Sequence, residues 1–393
     1  VPGIVYNYHL AGGPGLVARP AGCAGGAVEG AIDILTAAPK VYVGAFGGNA
    51  IVGTWPQFQL ATLTTRVGPG VGWLFVREQN WRINSFRVAC QQGGFGLVGQ
   101  LTRSQVQQDA ETTEKTQLAY SMGSTFTALL AERVAGVLGG PANFMHLNVF
   151  TGGGGALALV VPGGQRPDYV SRIGGVGPYQ VWEAKGSGGG VAGGLLTTGA
   201  AAVGPALGTG GQLNAALIQL NNVATVGAAA AAPDAMVACM ARGYNTGAWE
   251  MHVSDPSSIS GSYKDSPEEN DALFRAYYGV WLRTLMFFES RKQFATRTFA
   301  EQEFYGFPLT ASDSLVGIDA RLVKIFMQLS PSTLDPKQKG KDATPGELSD
   351  ALLDVLRKPG YSGGDKSETQ AVNSNGLFTL MDQSVVDSLQ TET

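Results

Sequence analysis

The residues whose types and spacing could do chemistry fall in one stretch, from Gln165 to Gly186. A Pro167-Asp168 pair is followed by Glu183-Ala184-Lys185 in the apolar run that starts at Tyr179. Val181 and Trp182 favour a strand, and Gly186 ends it. A strand alternates its side chains, so Glu183 and Lys185 share one face while Trp182 and Ala184 take the other. An acid and a lysine aimed at one spot from an apolar element are costly to bury unless they pair or bind something. Between the acids lies Ser171-Arg172-Ile173-Gly174-Gly175-Val176-Gly177-Pro178, whose glycines and proline are turn chemistry. The expectation is a hairpin that sets Asp168 beside Glu183.

Two carboxylates and a lysine at one point suit hydrolysis of a phosphate ester. A hard cation such as Mg²⁺ takes oxygen ligands, usually one or two carboxylates with waters and phosphate oxygens. Such an ion polarises the phosphate and lowers the pKa of its water. A nearby lysine stabilises the developing charge. The same residues also fit a salt-bridged hairpin with no catalytic role.

Pro167-Asp168 with Glu183-Ala184-Lys185 resembles the motif of the PD-(D/E)XK nuclease superfamily, the restriction-endonuclease-like enzymes. The resemblance implies that Asp168 and Glu183 bind Mg²⁺ or Mn²⁺. It makes the carbonyl of Ala184 a further metal ligand and gives Lys185 the task of orienting or activating the attacking water. Members often carry an acid on the helix before the central sheet, and Glu114 is the candidate for it here. The implied activity is a Mg²⁺-dependent endonuclease that hydrolyses phosphodiester bonds in nucleic acid, DNA before RNA, in restriction or defence against foreign DNA. The alternative is a non-catalytic structural, shell-forming or interaction protein, with Glu183 and Lys185 as a buried ion pair.

The elements that must position these residues can be read on either side. Leu118, Met122, Phe126, Leu129, Leu130 and Val134 form one apolar stripe, which predicts a helix over 108–137 capped by Thr112 or Thr113. Glu114, four residues before Leu118, is expected on its inward face. Residues 143–150 and 156–161 read as strands, 213–224 as a helix, and 235–241 and 248–253 as strands. This order matches the α-β-β-β-α-β core that the resemblance implies, over residues 108–262. The expected fold class is α/β (α+β), a restriction-endonuclease-like mixed sheet flanked by helices. Residues 1–107 are expected to form a Gly-rich, β-rich region, with strands at 40–44, 57–63, 72–76 and 81–88. Residues 263–330 are expected to be helical, led by an aromatic-rich helix over 268–293. Residues 331–393 read as a polar linker and C-terminal tail around a short helix near 345–356.

Composition narrows the function classes. Apolar residues make up 44% of the 393-residue chain, so it is globular and not disordered, although 56 residues are glycine and only 15% are charged. A net charge of −4 argues against a broad basic surface but leaves room for a local groove. Cys23, Cys90 and Cys239 give neither a disulfide framework nor zinc spacing, and His9, His146 and His252 are as dispersed. The N-terminus has no basic-then-apolar leader, and a cytoplasmic location is expected. The charge-free stretch 186–233 is broken by glycine and amide side chains, so no membrane partner is expected. Cations in the core are few: Arg133, Arg166, Arg172, Lys185 and Arg242. Grip on phosphates is therefore expected from Lys264, Arg275, Arg283, Arg291, Lys292 and Arg297, or from a homo-oligomer or partner subunit that supplies basic surface.

Overall fold

The computed structural model describes residues 2–8, 23–24, 28, 31–32, 35, 49–65, 70–93, 99–152, 159–160, 166–175, 179–187, 212–223, 225–226, 233, 235–243, 249–254, 258–259, 266–338, 340–358 and 367–391. Among them the expected strand at 40–44 and the cation Lys264 are not included.

The main sheet has nine strands. In chain order these are β1 (Pro2–Tyr8), β2 (Asn49–Val52), β3 (Cys90–Gly93), β4 (Gly99–Arg103), β5 (Met145–His146), β6 (Tyr169–Ser171), β7 (Gln180–Ser187), β8 (Ala235–Gly243) and β9 (Trp249–Ser254). Across the sheet the order is β3-β4-β1-β9-β8-β7-β6-β5, with β2 paired to β1. Strands β5, β6 and β7 form an antiparallel meander, and β7 runs parallel to β8. A parallel pair needs a crossover. Here a helix supplies it, Gln212–Asn221.

The helices of this half are α1 (Trp55–Thr64), α2 (Trp73–Ala89), α3 (Thr112–Leu138) and α4, the crossover Gln212–Asn221. Strand alternation sorts the sheet's two faces. Val181, Met236, Ala238 and Met240 join Leu213, Ala216, Leu217 and Leu220 of α4 in one core. Trp182, Ala184, Val237 and Cys239 join Ala119, Met122, Phe126 and Leu130 of α3 in the other. The sheet is thus sandwiched between helices, a mixed α/β architecture.

Several expectations for the first region need correction. Residues 57–63 lie in α1, and 72–76 and 81–88 run into α2. The Gly-rich N-terminal region is therefore not simply β-rich. The start of α1 carries a helix signal: Pro56 sits in the first turn, and Gln57 Oε1 accepts from the Thr54 N–H at 3.1 Å. In α2, Phe75, Val76, Gln79, Ile83, Phe86 and Ala89 are buried, which is a 3.6-residue period and not a two-residue one. Strands β1, β3 and β4 join the same sheet as the central hairpin, so this region and the core share one sheet. Residues 143–150 are also shorter as a strand than expected, because helix Leu147–Gly152 follows β5 at once.

The C-terminal half adds α5 (Pro267–Glu289), β10 (Ala295–Phe299), β11 (Gln302–Leu309), β12 (Ser314–Asp319), α6 (Ala320–Leu329), α7 (Glu347–Leu356), β13 (Gln370–Val372), β14 (Leu377–Met381) and α8 (Gln383–Thr391). The expected helices near 268–293 and 345–356 are present as α5 and α7. The other strands are not what a helical region and a polar tail imply. They form a five-stranded antiparallel sheet in the order β10-β11-β12-β14-β13. Its inner residues Phe304, Phe307, Val316, Ile318 and Phe378 share a core with α5 and α4. The half-buried Glu132 carboxylate on α3 ties the two halves together. It accepts from the Ser374 N–H (3.1 Å), the Ser374 hydroxyl (2.6 Å) and the Asn375 amide (2.9 Å) in the β13–β14 turn.

Candidate functional site

The β6–β7 hairpin builds the site. Its turn uses Gly174 (φ 84°) and Gly175 (φ 75°), a backbone region that only glycine adopts at no cost. Buried polar contacts fix the register: Ser171 donates to Gln180 Oε1 (2.9 Å), and the Trp182 indole donates to Ser171 Oγ (2.7 Å). That register pairs Tyr169 with Trp182, so Asp168 falls opposite Glu183 at the end of the ladder.

The expected acids meet there. The Asp168 N–H donates to Glu183 Oε2 at 3.0 Å, and the Ala184 N–H donates to Asp168 Oδ2 at 3.2 Å. Each carboxylate thus accepts from a backbone N–H of the other acid's strand. Burial first, and then the charge of Asp168, push the Glu183 carboxyl up to about 8. Burial also raises the Asp168 carboxyl, against the pull of Lys185. The pair thus keeps a proton at neutral pH, as crowded buried acids do.

Lys185 closes the set. Its ammonium contacts Glu183 Oε1 directly and donates to Gln219 Oε1 at 3.2 Å. Glu183 is fully buried, while the Lys185 side chain keeps 24% exposure. Two carboxyls, one retained proton and one ammonium sum to no net charge, which makes the burial tolerable. Asp168, Glu183, Ala184 and Lys185 are thus brought together, Ala184 through its N–H.

Glu114 is not brought to this point. It is exposed on the first turn of α3, where its carboxylate accepts from the Glu111 N–H at 3.1 Å as part of a capping box. An acid in that position is held by the helix end and its dipole. What α3 presents to the site instead is a close backbone approach. A Cβ at Gly123 would lie 2.2 Å from the Lys185 carbonyl oxygen, and one at Gly186 would lie 1.9 Å from that of Ala119. Only glycine at both positions lets the helix seat this near β7. One turn away, the charge of Asp168 and, above all, burial raise the Tyr120 phenol above its ordinary value.

Two contributors escape a reading of the motif. Gln219 on α4 bridges Lys185 and the Arg166 carbonyl just before the Pro-Asp pair. In the sequence its only mark is an amide set between the apolar Ile218 and Leu220. His146 packs edge-on to Tyr169 (centroids 5.2 Å apart), and burial, then Arg82, hold its imidazole down at about 4, so it stays neutral.

The donor set fits a divalent cation. Two carboxylates converge from paired strands, and each is held by a backbone N–H. Among the described residues no three histidine, cysteine or acidic side chains gather, so the carboxylates from protein number two. No family model, curated protein or solved structure matches the chain.

Proposed function

We propose that the chain is a Mg²⁺-dependent endonuclease of the PD-(D/E)XK kind, acting on phosphodiester bonds in DNA. The observation that carries the reading is the pairing of Asp168 with Glu183 across β6 and β7, with Lys185 on the same face and touching Glu183. The order of elements in the main sheet supports it in part: helix α3, strands β5, β6 and β7, crossover α4 and parallel strand β8 follow the α-β-β-β-α-β order that the resemblance implies, with helix Leu147–Gly152 and the short strand Leu159–Val160 inserted after β5. A purely structural ion pair favours a different arrangement. Lys185 needs one acid for that, and a second carboxyl crowded beside the first only adds repulsion.

In this reading Asp168 and Glu183 hold the ion, with the Ala184 carbonyl as a further oxygen. A bound divalent ion supplies charge neutralisation at the phosphate and a more acidic water. Lys185 sits where its ammonium can stabilise charge on the scissile phosphate or share the water's proton. Gln219 holds that ammonium in place and anchors α4 to the Pro-Asp segment. A bound ion would take the place of the retained proton, and its charge would offset the repulsion between the Asp168 and Glu183 carboxylates. A part in restriction or defence rests on the resemblance alone.

The test is incubation of the purified chain with single- and double-stranded DNA and RNA, with Mg²⁺ or Mn²⁺ and with EDTA. Cleavage that EDTA stops and that Asp168→Asn abolishes is expected. Cleavage that survives Asp168→Asn, or no cleavage with either ion, would overturn the proposal.

A further inference from the structure

We propose that the outer face of α2, with the adjoining end of α5, is a docking surface for single-stranded DNA. The proposal deepens the nuclease reading and rests on it for the identity of the ligand class. The solvent side of a helix is ordinarily polar. On α2 it is not: Trp73 (44% exposed), Leu74 (66%), Trp81 (52%) and Val88 (39%) lie outward. Arg77, between the two tryptophans, is exposed on the same stripe. Both sides of this helix are therefore rich in apolar surface, and one side is left exposed among the described residues.

Charge decides what kind of partner fits. Trp73 packs edge-on against Phe287 (centroids 6.2 Å apart) near the end of α5. There the Arg291 guanidinium lies 4.1 Å from the Phe287 ring, and Arg291 and Lys292 are exposed. Arg77, Arg291 and Lys292 thus frame the aromatic surface. The acid Glu78 on the same helix is engaged by Arg82 at 3.1 Å, and Glu289 is the exposed acid nearby. The patch is positive on a chain whose net charge is −4. Aromatic rings interleaved with cations are what a flexible polyanion of stacked bases binds, and a neutral apolar partner gains nothing from the cations. Duplex DNA hides its base faces, so the strand is single. Stacking and phosphate pairing do not read a 2′-hydroxyl, so the choice of DNA follows the substrate proposed for the acids.

The experiment is fluorescence anisotropy with labelled oligothymidine in EDTA, where no cleavage occurs. Parent chain is compared with Trp81→Ala, Arg77→Ala/Trp81→Ala and the conservative Trp81→Phe, each checked for an unchanged melting temperature. The parent should bind with an affinity that falls as salt rises. The double variant should bind at least ~10-fold more weakly, and Trp81→Phe should retain most of the affinity. Equal binding by parent and double variant overturns the proposal, as does no binding by the parent. Tighter binding of oligouridine overturns the choice of DNA. A dimer in sedimentation that Trp81→Ala dissolves assigns the face to a second copy and also overturns it. Because binding in EDTA is read without cleavage, loss of cleavage with retained binding refutes only the nuclease reading.

Discussion

Replacing Glu183 by glutamine should change how stability depends on pH more than it changes stability itself. In the folded chain burial, then Asp168, raise this carboxyl to about 8. In an unfolded chain a glutamate titrates near ~4.3. Between those values the folded state holds a proton that the unfolded state has released. The stability is therefore full below the unfolded pKa and is lost as pH rises through the folded one, at ~1.4 kcal/mol per pH unit. Glu183 is fully buried, so solvent screening does not shrink the effect much. Over the whole window the loss is of order ~5 kcal/mol. Glutamine is neutral at every pH and close in shape to the protonated acid. Urea unfolding of parent and Glu183→Gln should give similar stabilities at pH 5. At pH 9 the variant should be more stable by several kcal/mol, on the order of 3–5. Parallel stability curves from pH 5 to pH 9 would refute the claim that Glu183 retains a proton in the fold.

Three further outcomes follow from the same geometry. Lys185→Met keeps the aliphatic stem and removes the ammonium, so cleavage should fall ~10²–10³-fold while divalent-ion binding persists; unchanged rates would remove Lys185 from the chemistry. Gly123→Ala pushes a methyl to within 2.2 Å of the Lys185 carbonyl and should cost ~1–3 kcal/mol or more in denaturant unfolding, and a neutral result would mean that α3 does not seat tightly on β7. Glu114→Ala should lower stability by ~0.5–2 kcal/mol through the lost capping box and leave cleavage rates alone; a large loss of rate would return Glu114 to the site.

What the sequence made visible follows how local each signal is. The hairpin was readable because Asp168 and Glu183 are separated by one turn, and glycines mark that turn. Helix α3 was readable because its stripe runs through most of its length. The segments 57–63, 72–76 and 81–88 were misread because short windows of mixed apolar and polar residues also fit alternation. Over all of α2 the buried positions repeat at helical spacing. Gln219 was invisible because its contact with Lys185 spans 34 residues and depends on how α4 docks. The second sheet was hidden for another reason. Its edge strand β10 is largely exposed and polar, so it carries little hydrophobic pattern, and β13 is only three residues long. Glu114 shows the limit of face arguments: its position relative to Leu118 suggested an inward acid, but the first turn of a helix offers an acid a better place at the cap.

The measurement that bears most directly on the account is calorimetric titration of Mn²⁺ and Mg²⁺ into the metal-free chain, alongside Asp168→Asn and Glu183→Gln. The account predicts a saturable site in the parent and a much weaker one in each variant, since each removes one of the two carboxylates facing each other across β6 and β7. A parent that takes up neither ion, or variants that bind as the parent does, would contradict it.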